Sequence, residues 1–229
     1  MKLSELSLRE KEALFRELRI SITHHSNAME GTTLSFGETK ELLEKGATAG
    51  GKPLSEQLVI LGFAKAYDVV VREAGNSNFK MSASFIKDLH YIMFEDALQV
   101  SSAFIEKPIG AYRLDERYIK GVDIKLSAPA KIDQDVENLL YKFDKQELSL
   151  EEMASFHIRF ETIHPFADGN GRIGRLLMAF QYIQNDFVPP LILNDNRSEY
   201  LDALADSALL KEFLLMSCEE SLKLIEVAS

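Results

Sequence analysis

His164-Pro165-Phe166-Ala167-Asp168-Gly169-Asn170-Gly171-Arg172-Ile173-Gly174-Arg175 gathers an imidazole, a carboxylate, a glycine-rich loop and two guanidiniums into one short segment. Its flanks decide the fold. Met153, Phe156, Phe160 and Ile163 before it, and Leu176, Leu177, Phe180 and Ile183 after it, recur at the spacing of a helix rather than the alternation of a strand. The segment is therefore a loop between two helices. Pro165 stops the first of them, with His164 at its mouth.

The residue types suit a phosphate-handling centre. A histidine serves as general base near neutral pH. Asp168 offers the hard oxygen that Mg²⁺ prefers. Backbone N–H groups of Gly169-Asn170-Gly171, entering a helix, can point at anionic oxygens. Arg172 and Arg175 share one helix face, close to a helix start where positive charge opposes the macrodipole. An anion would resolve that conflict. Phe166, apolar in a polar loop, reads as an anchor into the core, and His157 reads as a core histidine.

Further out, helical signals continue. Ser7-x-x-Glu10, Ser35-x-x-Glu38 and Ser149-x-x-Glu152 read as capping boxes. The first helix carries Leu14, Phe15, Leu18 and Ile22, runs toward Met29 and ends at Gly31. A second spans Phe36 to Lys45 and stops at Gly46. A third follows Pro53 with Leu58, Leu61, Ala64 and Val69. Gly75-Asn76-Ser77-Asn78 is a turn cluster, dividing an N-terminal helical region (1–76) from a main body and C-terminal helices (77–229). A helix covers roughly Ser84 to Glu95. Between Val100 and Ala130, prolines, glycines and β-prone pieces at Tyr118-Ile119 and Val122-Ile124 predict a small hairpin or flap. Val136, Leu139, Leu140 and Phe143 resume the helical period. Pro189-Pro190 precedes the last helices, which hold Leu201, Leu204, Leu209, Phe213, Leu222 and Ile225. The class is mostly α with one minor β-hairpin.

Two look-alike motifs lack their context. Gly46-Ala47-Thr48-Ala49-Gly50-Gly51-Lys52 approximates a Walker A loop, but Pro53 stands where Ser or Thr must reach Mg²⁺, and a helix precedes it. Gly169-x-Gly171-x-x-Gly174, with Asp195 downstream, satisfies a dinucleotide fingerprint, but no βαβ alternation surrounds it.

The chain has 229 residues, 46% hydrophobic, enough for a sizeable core. Its net charge of −10 argues against a nucleic-acid surface. The single cysteine, Cys218, falls in an apolar helical pattern and reads as a core residue. No apolar run has membrane-spanning length and no secretory signal opens the chain, so the expectation is a cytoplasmic protein without a membrane partner.

Every fixed position of the 164–175 segment matches H-P-F-x-D/E-G-N-G-R-x-x-R, and the chain thereby resembles the Fic (Fic/Doc) family, whose fold is a helical bundle with a β-hairpin flap. Pro108-Ile109-Gly110-Ala111-Tyr112-Arg113 is similar to the element leading into that flap. Phe85 to His90 is similar to the helix before it, and Arg197-Ser198-Glu199-Tyr200 to the segment after the Pro-Pro pair. The similarity covers roughly residues 20–215. It implies a protein adenylyltransferase, moving AMP from ATP to a Ser, Thr or Tyr hydroxyl of a target protein. His164 would be the general base, and Asp168 would hold Mg²⁺. Gly169, Asn170 and Gly171 would cradle phosphate oxygens. Arg172 would neutralise the leaving pyrophosphate, and Arg175 would reach the γ-phosphate. Tyr200 and Leu201 would border the adenosine pocket. Arg117, Tyr118, Ile119 and Lys120 would register the target along the flap by strand addition. Arg117 replaces an apolar flap residue of relatives, and Ala208 replaces an Asn that many of them offer to adenine.

Ser26-Asn27-Ala28-Met29-Glu30-Gly31 resembles the family's inhibitory motif, S/T-x-x-x-E-G/N, here on the N-terminal side of the core. The resemblance implies that Glu30 pairs with Arg175 and that Ser26 steadies the contact. Alone, this stretch would read as a helix end with a glycine stop. Other readings of the same site are a de-AMPylating hydrolase, another nucleotidyl transferase, or a nucleotide-sensing module without catalysis. A homodimer is compatible with all of them.

Overall fold

Each of the three Ser-x-x-Glu boxes starts a helix. Ser7, Ser35 and Ser149 accept from the backbone N–H three residues on, and Glu10, Glu38 and Glu152 reach back, so two otherwise unpaired donors are satisfied at each start. The computed structural model describes residues 2–118, 125–145 and 147–227. Among them the helices are α1 (Leu8–Ala28), α2 (Phe36–Lys45), α3 (Leu54–Ala74), α4 (Ala83–Ser101), α5 (Ile132–Lys142), α6 (Leu150–Ile163), α7 (Asn170–Gln184), α8 (Arg197–Ala203) and α9 (Ser207–Val227).

α7 is the centre. Nearly every residue from Asn170 to Tyr182 is buried, the signature of a helix enclosed on all sides. α3, α6, α4 and α1 pack on it. α9 lies against α1 and α6, and α5 against α6. A continuous apolar core runs from Leu14 and Phe63 through Phe94, Phe160 and Phe166 to Leu214. It joins both sides of the Gly75–Asn78 turn, because α3 packs closely on α4.

On α3 the buried face is only partly the one expected, with Ala64 fully buried. Val59, Phe63, Ala66, Tyr67 and Val70 are in the core, whereas Leu58, Leu61 and Val69 are only partly covered. The helix is embraced by α4, α7 and α1, so apolar residues nearly surround it and the period loses its phase.

The chain start is clipped to the turn after α7. Lys2 bridges Phe187, Leu3 N–H donates to Asp186 C=O at 2.8 Å, and Ser4 Oγ donates to the Asp186 carboxylate at 2.6 Å. The Gly46–Lys52 stretch is a connection between α2 and α3, held by the Gln57 side chain on both backbone groups of Ala49. Cys218 is buried, donating to Val188 C=O. No strand is formed among the described residues, and Ile119, Lys120 and the 122–124 piece of the expected flap lie outside them. Among the described residues no helix is long and apolar enough to cross a membrane.

Candidate active site

α6 ends where its sequence stops helping it. His164 takes a left-handed conformation (φ 50°) and its N–H closes on Phe160 C=O at 3.0 Å. Its carbonyl accepts from Arg113 Nε at 2.8 Å, and Arg113 N–H donates to Pro165 C=O at 2.9 Å. The Arg113 guanidinium, only 1% exposed, also donates to the carbonyls of Asp115 and Ser127. One buried arginine thus pins the His164 backbone to the segment that leads toward Arg117 and Tyr118.

The loop is rigid for a local reason. The Asn170 amide grips Phe166, its Oδ1 accepting from the backbone N–H at 2.8 Å and its Nδ2 donating to the carbonyl at 2.9 Å. Phe166 is fully buried, the anchor expected. Gly169 has φ 78°, and a Cβ there would meet the Phe94 ring, so both backbone and space demand glycine. The Asn170 side chain is therefore committed inside the loop. Capacity for an anion rests instead on the backbone N–H groups at the start of α7, whose first turn has neither a side-chain cap nor an acidic residue.

Two arginines border that helix start. Arg172 Nη2 donates to Asp168 Oδ2 at 2.9 Å, its guanidinium lies over the Phe94 ring, and its buried Nε has no protein partner. Arg175 donates through Nε to Ser26 Oγ (2.8 Å) and through Nη2 to Ser26 C=O (3.0 Å) and to Glu30 Oε1 (2.7 Å). The α1 terminus therefore puts a carboxylate on the anion-binding end of α7. A Cβ on Gly171 would lie 2.7 Å from Glu30 Oε1, so the carboxylate sits directly against the loop backbone.

Electrostatics tie these groups into one centre. Burial lowers the His164 pKa, aided by the Arg113 charge, and only partly opposed by its bond to Glu161 C=O and by the charges of Glu30 and Asp168. The ring is therefore neutral near pH 7 and able to accept a proton. Burial pushes the Glu30 carboxyl up, but the Arg175 charge and hydrogen bond, with Arg172, bring it below the ordinary carboxylate range. Glu30 is thus anionic although only 35% exposed. Glu30 and Asp168, the partners of Arg175 and Arg172, are also the charges that raise the His164 pKa.

Asp168 is half exposed. One oxygen accepts from Gly169 N–H and the other from Arg172, which orients the group with lone pairs to spare. No cluster of three or more His, Cys, Asp or Glu that could hold a metal exists among the described residues. A single oriented carboxylate fits Mg²⁺, which keeps its waters and takes one or two carboxylates plus phosphate oxygens.

Tyr200 is buried, its hydroxyl 2.6 Å from His157 Nε2 and interacting with the Arg175 side chain, and Leu201 is 44% exposed. His157 is a core residue as expected, and burial takes its pKa down to about 3. Arg117 is held by Glu106 and Asp115, and Tyr118 is exposed. Arg113 and His90 entered the sequence reading only as parts of segments similar to the family's elements, with no role assigned, and Glu161 escaped it. Each is a single charged or titratable residue inside an apolar helix or turn. A buried polar residue is visible in sequence only through its apolar neighbours.

Comparisons with known proteins agree with this architecture. Residues 80–182 match the sequence model of the Fic/DOC family and are a Fic/DOC family domain. The chain is 27% identical over 198 residues to the protein adenylyltransferase fic-1 of Caenorhabditis briggsae, covering 83% of this chain and 37% of that protein. It is 29% identical over 203 residues to the protein adenylyltransferase Fic of Drosophila mojavensis, covering 86% and 37%. The chain thus spans little more than a third of the length of these relatives. Among solved structures it is similar to a Fic-domain-containing signaling protein from Bacteroides thetaiotaomicron (TM-score 0.83, 24% identity, 99% of this chain and 93% of that one). It is likewise similar to Fic-1 from C. elegans (TM-score 0.80, 23% identity, 98% and 66%).

Proposed function

We propose that this chain, with its Fic/DOC family domain at residues 80–182, is a protein adenylyltransferase that moves AMP from ATP to a Ser, Thr or Tyr hydroxyl of a target protein and is held back by Glu30. The observation that carries this reading is the placing of Arg172 and Arg175, with Asp168 and Glu30 on them, at the uncapped start of α7, with His164 at the other end of the same loop. The naming of relatives as protein adenylyltransferases supports it.

In this reading the triphosphate lies along the start of α7. Backbone N–H groups and Arg172 neutralise the β-phosphate side, and Arg175 receives the γ-phosphate. His164 takes the proton of the target hydroxyl as its oxygen bonds to the α-phosphorus, and the α-phosphorus–oxygen bond to pyrophosphate breaks. Asp168 would hold Mg²⁺, which supplies positive charge against the phosphate oxygens. Catalysis is mainly positioning and preorganised charge. With Glu30 on Arg175, the γ-phosphate loses its guanidinium and meets a carboxylate. That carboxylate is the brake.

The test uses ATP labelled at the α- or the γ-phosphate. Glu30→Gly is expected to raise α-label incorporation into the protein or a lysate target at least tenfold over wild type. Adding His164→Ala is expected to abolish transfer while sparing nucleotide binding. Label from the γ-position on protein would replace this reading with kinase action. No gain from Glu30→Gly would remove the brake.

A further inference from the structure

His90 stands in the middle of α4 and is 1% exposed. A buried imidazole needs a partner for each ring nitrogen. Gly110 N–H donates to Nδ1 at 2.9 Å. Since Nδ1 accepts, the proton belongs on Nε2, which donates to Asp168 C=O at 3.0 Å. The ring also stacks on Phe166, with centroids 4.0 Å apart and planes 14° apart. Three contacts of one side chain therefore fall on the two stretches that border the site.

Both stretches are pressed onto α4. Gly110 has φ +65°, and a Cβ on it would lie 2.9 Å from Tyr91 Cβ. Gly169 meets Met93 and Phe94 in the same way. Beyond Gly110 the chain reaches Arg113, which holds the His164 carbonyl. Beyond Asp168 it enters α7 and its arginines. The His90 ring touches neither a nucleotide position nor a target position. It fixes the distance between them.

We propose that His90 is a positioning residue for the transfer reaction, setting the spacing between the Asp168 loop and the Gly110–Arg113 stretch on the target side. The proposal rests on the adenylyltransferase reading. A core histidine without this role would be replaceable by any residue that fills its volume. A spacer is not, because its two bonds serve two different stretches and can be removed one at a time.

Two substitutions separate them. In His90→Gln the amide N–H replaces Nε2–H toward Asp168 C=O, and the acceptor for Gly110 is lost. In His90→Asn the amide oxygen replaces Nδ1 toward Gly110 N–H, and the donor to Asp168 is lost. Both are made in the Glu30→Gly background, and mant-ATP binding with Mg²⁺ is measured beside α-label transfer. His90→Gln is expected to keep the mant-ATP Kd within about threefold and lower kcat about tenfold, as for one lost buried hydrogen bond. His90→Asn is expected to weaken mant-ATP binding about tenfold. Equal losses in both readouts for both variants, or parent-like behaviour in both, overturn the proposal. A third arm needs no activity: ¹⁵N-resolved NMR of Glu30→Gly at pH 7 is expected to show the His90 proton on Nε2, and a proton on Nδ1 overturns the assignment. If Glu30→Gly transfers no α-label, the adenylyltransferase reading fails, while the tautomer and nucleotide-binding arms still decide whether His90 ties these two stretches together.

Discussion

Glu161 carries a carboxyl that burial has made reluctant to ionise. It sits in the last turn of α6, 3.8 Å from His157 Nε2, with one buried oxygen lacking a protein partner and a side chain 15% exposed. A Cβ on Gly174 would collide with it. Burial raises its pKa to about 7, against the Arg175 charge and with that of Glu30. In the unfolded chain the group has an ordinary value of about 4.5. Between these values the folded state holds a proton that the unfolded state has lost, so this group's contribution to stability falls as pH rises through that window. Glu161→Gln removes the slope. Its stability relative to wild type, from urea unfolding, is expected to increase by on the order of 2 kcal/mol between pH 4.5 and 7. A constant difference would show that the carboxyl ionises normally. The His164 prediction has the opposite sense. Its lowered pKa places the acid limb of transfer below that of an ordinary imidazole. Removing Glu30 removes a charge that raises His164, so the limb moves lower in Glu30→Gly. A limb above pH 7 would contradict the buried, neutral base. At this scale the sequence showed the loop residues well where they act locally, since Phe166 and Asn170 bond each other across four positions, whereas the space that demands glycine at 169 is set by Met93 and Phe94 on α4. Glu161 faces an arginine 14 positions away and a carboxylate from α1, which no local pattern displays.

At the scale of elements, the end of α1 is the part on which the proposed brake depends. Arg175 holds Ser26 and Glu30. Asn194 N–H donates to His25 Nδ1 at 3.2 Å, and Arg197 Nε donates to Met29 C=O at 3.0 Å. The start of α8 thus holds the residue directly before Glu30. Arg197→Met keeps the apolar stem and removes the donor. One lost hydrogen bond is worth about 1 kcal/mol, so automodification is expected to rise roughly three- to tenfold, short of the Glu30→Gly rate. Unchanged automodification would mean that Ser26 and Glu30 alone seat the helix end. Helix starts were readable because a capping box spans four residues, and three of three formed. Of the attachments of α1, the Glu30–Arg175 pair was implied by the inhibitory-motif resemblance, whereas the contacts of His25 and Met29 with Asn194 and Arg197, about 170 positions away, were not readable. The buried face of α3 was partly misread for the related reason that a helix packed on several sides has no single apolar stripe.

For the whole molecule, the brake and the fold share one core. α1 is clipped at its start to the turn after α7 through Lys2, Leu3 and Ser4. At its end it is fixed to α7 itself, and Leu14 and Leu18 between these points are fully buried. The burial of Leu14 and Leu18 followed from the helical period and the hold on Arg175 from the family resemblance, whereas the clip to Asp186, which joins residues 182 positions apart, was not legible. In the proposed reading such a helix does not need to detach for ATP to bind: only Glu30, on the short stretch after α1, has to leave Arg175, and nucleotide binding would be linked to one ion pair rather than to unfolding of the N-terminal region. A ligand at about 100 times its Kd stabilises the native state by about 2.7 kcal/mol, and each 1 kcal/mol shifts Tm by about 2–4 °C in a chain of this size. With Mg²⁺-ATP at a concentration saturating Glu30→Gly, that variant is expected to gain about 5–10 °C over its own ligand-free Tm. Wild type, which must first break the Glu30–Arg175 pair, should gain less than half as much. Equal shifts would mean that ATP binds without displacing Glu30, so that inhibition acts on the pose of the bound nucleotide rather than on its affinity.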